Sequence, residues 1–295
     1  MKKIFKVLLI IVIVIVVLIG LLVVQLIRNT KKQEIEQSLM VKTDEELIGE
    51  HFYMPRSGKE DVDLNLYMID DGEKYPVVFN IHGGAFLAGD ADTLDTQSNR
   101  ISSDWKVNVV TINYRLAKNG TPISYALEEV VDTVKYFIDH AEEYNIDKDN
   151  VFVMGYSAGG YHTMAAVLEL KKQDINVTGQ IICYGFIKEV VDTYNGLTKE
   201  QKATVAPALF ILADNDPISD GSLKYEEALR LGGVSTEVKK YEGAKHGFIE
   251  ENNPEYEKLH DVASKSPEQE IMARNAENHI KEWLNDNLTK QEGNE

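Results

Sequence analysis

The stretch VFVMGYSAGGYHT, residues 151 to 163, is the part of this sequence whose reading decides the fold. Its first four residues are apolar and suit a buried strand, and the small residues SAGG suit the opening of a helix. Between them Gly155, Ser157 and Gly159 spell G-x-S-x-G. A strand, a sharp turn and a helix hold a serine hydroxyl clear of the backbone at the end of a sheet, the context of a nucleophile elbow. Three fixed positions recur easily by chance, so the surrounding sequence has to carry the argument.

Working outward, strands and helices alternate from residue 61 onward. DVDLNLYMI at 61 to 69 alternates apolar and polar residues, as a half-exposed strand does. YPVVFNIHGG, VNVVTINYRL, NVFVMGYS, GQIICYGF and PALFILAD are largely apolar strands bounded by turn residues, and STEVKKYEG is a later, more polar one. Leu127, Val130, Val131, Val134, Phe137 and Ile138 recur at helical spacing and predict a helix over about 122 to 143. Another helix is expected near 220 to 231, and a C-terminal one opens at SPEQ. There Ser266 can cap, Pro267 suits the first turn and Gln269 can close a capping box. Continuous apolar strands interleaved with helices predict a mostly parallel sheet covered on both faces, with sites at the carboxyl ends of its strands.

The chain of 295 residues is 43% hydrophobic and 27% charged, ordinary for a globular protein. A net charge of -17 argues against nucleic acid as a partner, since phosphates would be repelled. The single cysteine, Cys183, allows no intramolecular disulfide and excludes zinc sites built on two or more cysteines. VLLIIVIVIVVLIGLLVV, residues 7 to 24, is uncharged and long enough to cross a bilayer as a helix. It is too long for a signal-peptide core and lacks a small-residue cleavage site, so an uncleaved anchor over residues 1 to 28 is expected. Lysines flank the span on both sides, and the free amino terminus tips the expectation toward an N-terminus inside and the large domain outside the cytoplasm. Residues 29 to 60 are expected to form a polar stalk or cap segment, 61 to 289 the catalytic domain and 290 to 295 a polar tail.

A serine hydroxyl needs a general base, an orienting carboxylate and donors for the developing oxyanion. IHGGAF at 81 to 86 follows a buried strand, and its paired glycines let backbone amides approach a ligand. The amides of Gly84 and Ala85, with that of Ala158 after the serine, are the expected donors. Of seven histidines, His246 stands alone on a short glycine-flanked loop after the last strand, in EGAKHGF. His82 belongs to the glycine loop, His162 to the helix after the elbow, His140, His260 and His279 to helical or polar surface stretches, and His51 precedes the domain. LADNDPISD offers Asp214, Asp216 and Asp220, of which Asp216 is nearest mid-loop with Pro217 behind it. Phe86, Tyr156 and Tyr161 are candidates either to line a substrate pocket or to fill core. The chain order Ser157, Asp216, His246 differs from the orders on the chymotrypsin and subtilisin folds.

On these residues the domain resembles the α/β-hydrolase carboxylesterases, in their hormone-sensitive-lipase-like and feruloyl-esterase-B-like branches. HGGAF at 82 to 86, NYRLA at 113 to 117, GYSAGG at 155 to 160, DP at 216 to 217 and HGF at 246 to 248 carry the resemblance, over roughly residues 60 to 286. It implies the α/β-hydrolase fold with a small cap, and Ser157 as nucleophile, His246 as base and acid, and Asp216 as orienter. It implies hydrolysis of small carboxylic esters through an acyl-enzyme, with no metal or cofactor. Asn113 and Tyr156 stand where many members carry Asp, and Ala85 where many carry a third glycine. The interval 187 to 206 is short for a cap and points to small acyl groups, whereas 249 to 265 is a long link and a candidate cover for the site. An arylformamidase-like amidase with the same triad, and an inactive binding protein on the same scaffold, are the competing expectations.

Overall fold

The computed structural model describes residues 38 to 289 except 186, 215, 260 and 261, together with residues 25, 31, 35 and 36. Eight strands form one sheet: β1 (Glu50–Met54), β2 (Val62–Tyr67), β3 (Tyr75–Ile81), β4 (Asn108–Asn113), β5 (Ile146–Tyr156), β6 (Gly179–Cys183), β7 (Ala208–Ala213) and β8 (Thr236–Tyr241). Their order is β1-β2-β4-β3-β5-β6-β7-β8. The pairings β1 with β2 and β2 with β4 are antiparallel, and the remaining five are parallel.

The central strands are buried on both faces, which is why their sequences are continuously apolar. Alternate side chains go to opposite cores. Val77, Phe79 and Ile81 of β3, with Val151 and Val153 of β5, enter one; Val78, Phe152 and Met154 enter the other. The first core is closed by helices α2 (Ile123–Asp139), α3 (Ala158–Lys172) and α6 (Pro217–Leu231), through Val130, Val134, Phe137, Met164, Leu168 and Leu229. The second is closed by α1 (Asp95–Trp105) and α7 (Pro267–Asp286), through Ile101, Trp105, Ala276, Ile280 and Leu284. Two short helices, α4 (Glu189–Asn195) and α5 (Lys199–Ala203), occupy the interval between β6 and β7. Ser266 caps α7 by accepting from the Gln269 amide at 3.3 Å.

Residues 50 to 54, within the segment expected as stalk or cap, form edge strand β1 instead. The strand is short and half-exposed, so apolar periodicity does not mark it. The residues before it are tied to the domain by buried carboxylates. The Lys42 amide donates to Asp92 at 2.6 Å, and Nζ of Lys42 reaches Asp95 at 2.5 Å and Glu255 at 2.9 Å. The long link 249 to 265 contains two 3-10 turns and is fastened to α1, where Glu255 accepts from the amide and hydroxyl of Thr96.

The membrane reading is corrected. Among the described residues no helix is long and apolar enough to cross a membrane. The run 7 to 24, on which the anchor was expected, lies outside the described residues. Membrane attachment and a location outside the cytoplasm are therefore not carried further. By contacts, residues 1 to 39 group separately from residues 40 to 295. The first unit is described only at a few helical positions, where the Ser38 hydroxyl donates to the Ile35 carbonyl at 2.7 Å.

Candidate active site

The carboxyl ends of β3, β5, β6, β7 and β8 each deliver one part of a single cluster. Ser157 sits between β5 and α3 with φ 51° and ψ -112°, a conformation costly for a residue with a side chain. Its neighbours show what holds it there. A Cβ on Gly155 would lie 2.3 Å from the Gly159 carbonyl oxygen, and one on Gly159 would lie 2.1 Å from that of Ile81. Only glycine allows α3 to pass this close to β3 and β5. The Ser157 amide donates to the Cys183 carbonyl at 2.9 Å, and α3 closes its first turn from the Ser157 carbonyl at 3.2 Å.

His246 bridges the serine and an aspartate. Its Nδ1–H donates to Oδ2 of Asp216 at 2.7 Å, which leaves Nε2 to accept from Oγ of Ser157 at 2.8 Å. Asp216 is the N-cap of α6, with Pro217 at the first helical position. It accepts from the amides of Ile218 at 3.0 Å and Ser219 at 3.2 Å, and from the Ser219 hydroxyl at 2.8 Å. Burial pushes the Asp216 carboxyl up, but the bonds from His246 and Ser219 outweigh it and hold the group below the usual carboxylate range. Asp214 and Asp220 turn instead to Lys240, each at 3.4 Å.

The glycine loop after β3 is held open by its backbone. Gly84, Ala85 and Phe86 take φ of 119°, 51° and 66°, three successive left-handed residues. The amides of Leu87 and Ala88 both donate to the Gly84 carbonyl, at 3.0 and 2.9 Å. The segment 113 to 117 buttresses this loop: the Tyr114 hydroxyl donates to the His82 carbonyl at 3.3 Å, and the Ala117 amide to the Phe86 carbonyl at 2.7 Å. Asn113 donates to Asp63 at 2.9 Å and to Asp90 at 3.3 Å. Ala158 follows Ser157 as the first residue of α3.

Of the candidate lining residues, Phe86 and Tyr161 are half-buried and meet edge to face with ring centroids 5.5 Å apart. Tyr156 does not line a cleft, and that expectation is corrected. It is fully buried in the second core, beside Tyr184 and Met154, because alternation along β5 sends its side chain beneath the sheet. His82 and His162 are also fully buried, and burial pushes their pKa values down to about 4 and about 3, so they are neutral. His51 lies between Asp44 and Asp63, His140 on the Tyr136 carbonyl and His279 beside Glu237. His260 lies outside the described residues.

Three contributors escape a reading of the sequence: Ser219, Tyr184 and Glu250. Ser219 holds Asp216, Tyr184 packs edge-on to His246 at 5.2 Å, and Glu250 accepts from the Tyr184 hydroxyl. The only signal for Ser219 was its place three residues after a capping aspartate. Glu250 stands in the polar run IEENNP, which looks like surface.

A strained serine at a strand–helix turn, hydrogen-bonded to a histidine and through it to an aspartate, makes a hydroxyl that a neighbouring base can deprotonate. A sequence model of the alpha/beta hydrolase fold matches residues 78–204 and 193–250, more than half of the chain. The chain belongs to the alpha/beta hydrolase fold family.

This hydrolase is 26% identical over 218 residues to Esterase LipI of Mycobacterium tuberculosis, covering 61% of this chain and 67% of that one. It is 25% identical over 209 residues to an arylesterase of Saccharolobus solfataricus, covering 59% and 68%. Its fold is similar to that of an esterase from the archaeon Pyrobaculum calidifontis, with a TM-score of 0.66 at 21% identity over 89% of this chain and 93% of that one. The hydrolase is thus a member of the esterase and carboxylesterase superfamily and an enzyme of that hydrolytic class. Among the described residues no group of three or more His, Cys, Asp or Glu side chains could hold a metal ion.

Proposed function

We propose that this hydrolase cleaves small carboxylic esters through an acyl-enzyme on Ser157, and that it belongs to the hormone-sensitive-lipase-like and feruloyl-esterase-B-like branches. The observation that carries the reading is the unbroken row Ser157 Oγ, His246, Asp216, with contacts of 2.8 and 2.7 Å. Oγ of Ser157 attacks the ester carbon while Nε2 of His246 takes its proton. The bond to the alcohol oxygen breaks, and His246 returns the proton to the leaving alkoxide. Water then adds to the acyl carbon with His246 again as base, releasing the acid and restoring the Ser157 hydroxyl. Asp216 keeps the proton of the neutral imidazole on Nδ1 and stabilises the imidazolium that forms.

The amides of Gly84, Ala85 and Ala158 hold the oxyanion in this reading. The left-handed run at 84 to 86 supports it, since the loop is pre-shaped and needs no reorganisation as charge develops. Losing one such donor typically costs about 3 to 4 kcal/mol of barrier. Phe86 and Tyr161 bound the acyl side. Among the described residues the two short helices α4 and α5 stand between β6 and β7, which supports short acyl chains as the preferred substrates.

The deciding experiment is labelling by a fluorophosphonate probe, with hydrolysis of nitrophenyl acetate measured in parallel. The wild-type chain labels, and Ser157→Ala neither labels nor keeps activity within about 10⁴-fold of wild type. Equal labelling of the two proteins removes Ser157 as nucleophile. In a series of nitrophenyl esters, kcat/KM falls as the acyl chain lengthens; a rise toward long chains removes the small-substrate reading.

A further inference from the structure

A second carboxyl stands beside the row of three. Glu250 lies four residues after His246, opens the first 3-10 turn of the 249 to 265 link, and is only 4% exposed. Its Oε2 accepts from the Tyr184 hydroxyl. That phenol also accepts from the Ile249 amide at 3.3 Å, and its ring lies against His246 at 65°. Tyr184 follows β6 directly and holds φ 41°, a left-handed value that turns its side chain out of the strand's alternation. The other oxygen, Oε1, reaches the glycine loop. A Cβ on Gly83 would lie 2.8 Å from it and 3.4 Å from Cβ of Ser157. The carboxyl therefore sits where the glycine loop, the elbow and the histidine meet.

Burying a carboxyl with one phenol as its side-chain donor is unfavourable. The groups around it are few. Tyr184 bonds to it, while Cys183 at the end of β6, Tyr156 at the end of β5, Tyr114 just after β4 and Tyr256 in the second 3-10 turn lie within electrostatic range, and burial pushes all five pKa values up, so they are neutral near pH 7. His82, before Gly83, is neutral as well. Its own link adds Glu251, and the loop before it adds His246, with Asp216 behind the histidine.

We propose that Glu250 is a positioning residue for the ester reaction, a second anionic support that, together with Tyr184, steadies the protonated His246 formed when Ser157 attacks. The inference rests on the serine-esterase reading above. Glu250 exchanges no atom with the substrate. The proton still passes from Oγ of Ser157 to Nε2 of His246, and a nearby negative charge favours the imidazolium. Burial pushes the Glu250 carboxyl up, with Glu251 adding to it and the Tyr184 bond and His246 pulling against it, and the balance stands at about 7.

The test is the pH profile of kcat/KM on nitrophenyl acetate for the full chain, with Glu250→Gln, Tyr184→Phe and the double variant. Removing an anion that favours imidazolium lets the base deprotonate at lower pH. In Glu250→Gln the acid limb moves down by about 0.5 pH unit, muted because Glu250 itself takes up a proton near pH 7, and kcat falls about two- to tenfold. Tyr184→Phe moves the limb the same way by less, and the double variant moves it no further than Glu250→Gln. An unmoved limb in Glu250→Gln overturns the proposal even where kcat drops, since packing loss alone would not move it. Ser157→Ala is run alongside. Wild-type activity in that variant overturns both readings, whereas an inactive Ser157→Ala with an unmoved Glu250→Gln limb overturns this one alone.

Discussion

Two loops at the same end of the sheet each bring a carboxyl to His246, and they treat it in opposite ways. After β7, the backbone turns at once into α6, and Asp216 meets two amides, a hydroxyl and the imidazole. After β8 the chain wanders through a long link, and Glu250 meets one phenol and its own backbone amide. The first carboxyl is held below its usual range and the second is pushed up to about 7. The difference is donor count. A helix N-terminus supplies several oriented N–H groups to an anion, and a 3-10 turn entered side-on supplies few. One site thus holds an ionised carboxylate and a carboxyl poised near neutrality around the same histidine.

The comparison is broken most severely by Asp216→Asn. An amide in that place donates to Nδ1, moves the imidazole proton to Nε2 and leaves no acceptor for the serine. We expect kcat to fall about 10⁴-fold with the fold intact. A loss below about tenfold on steady-state assay would mean that Asp216 is not the carboxylate that matters.

Stability against pH sharpens the contrast. Glu250 is raised from an ordinary 4.5 to about 7, so the folded chain keeps a proton that the unfolded chain releases over that window. Stability therefore declines as pH rises through it, by about 3 kcal/mol for this group. Glu250→Gln is expected to match wild type near pH 5 and to be the more stable protein near pH 8, read by urea denaturation at both values. A gap that fails to widen with pH would show Glu250 to be ionised throughout. Asp216 has the opposite sign: its depressed value contributes stability above the unfolded pKa, lost as pH falls through the folded one.

The smallest effect expected is that of Ser219→Ala. It removes one hydroxyl donor from Asp216 and the acceptor of the Ala213 amide at 3.0 Å. A loss of about 1 to 2 kcal/mol in stability and a severalfold fall in kcat/KM should follow. A larger loss of activity than that of Asp216→Asn would invert the ranking of the two loops.

Much of this was legible in the chain itself. The apolar strands, α2 and α7 declare themselves by periodicity, and β6 and β7 by uninterrupted apolar runs. Helix α1 does not, because the face it buries mixes Ile101 and Trp105 with Asp95, Gln97, Ser98 and Ser102, whose side chains hydrogen-bond to other elements. Strand β1 is hidden by brevity and exposure. At the site, glycine spacing and turn residues drew attention to Ser157, His246 and the LADNDPISD loop. Mid-loop position and Pro217 singled out Asp216 among the three aspartates, whereas Tyr156 stayed open between pocket and core.

What the sequence determined by itself is what short-range chemistry determines. It set which segments are strands, where glycine is required, and which loop carries a histidine or an aspartate. The tertiary structure decided which of those groups touch. Contacts between residues 157, 216 and 246 depend on strand order and register, set by packing across the whole sheet. The inward turn of Glu250 depends on a left-handed Tyr184 some 66 residues earlier in the chain. No local pattern encodes such a pairing, because the free energy that holds it belongs to the assembled core rather than to either loop.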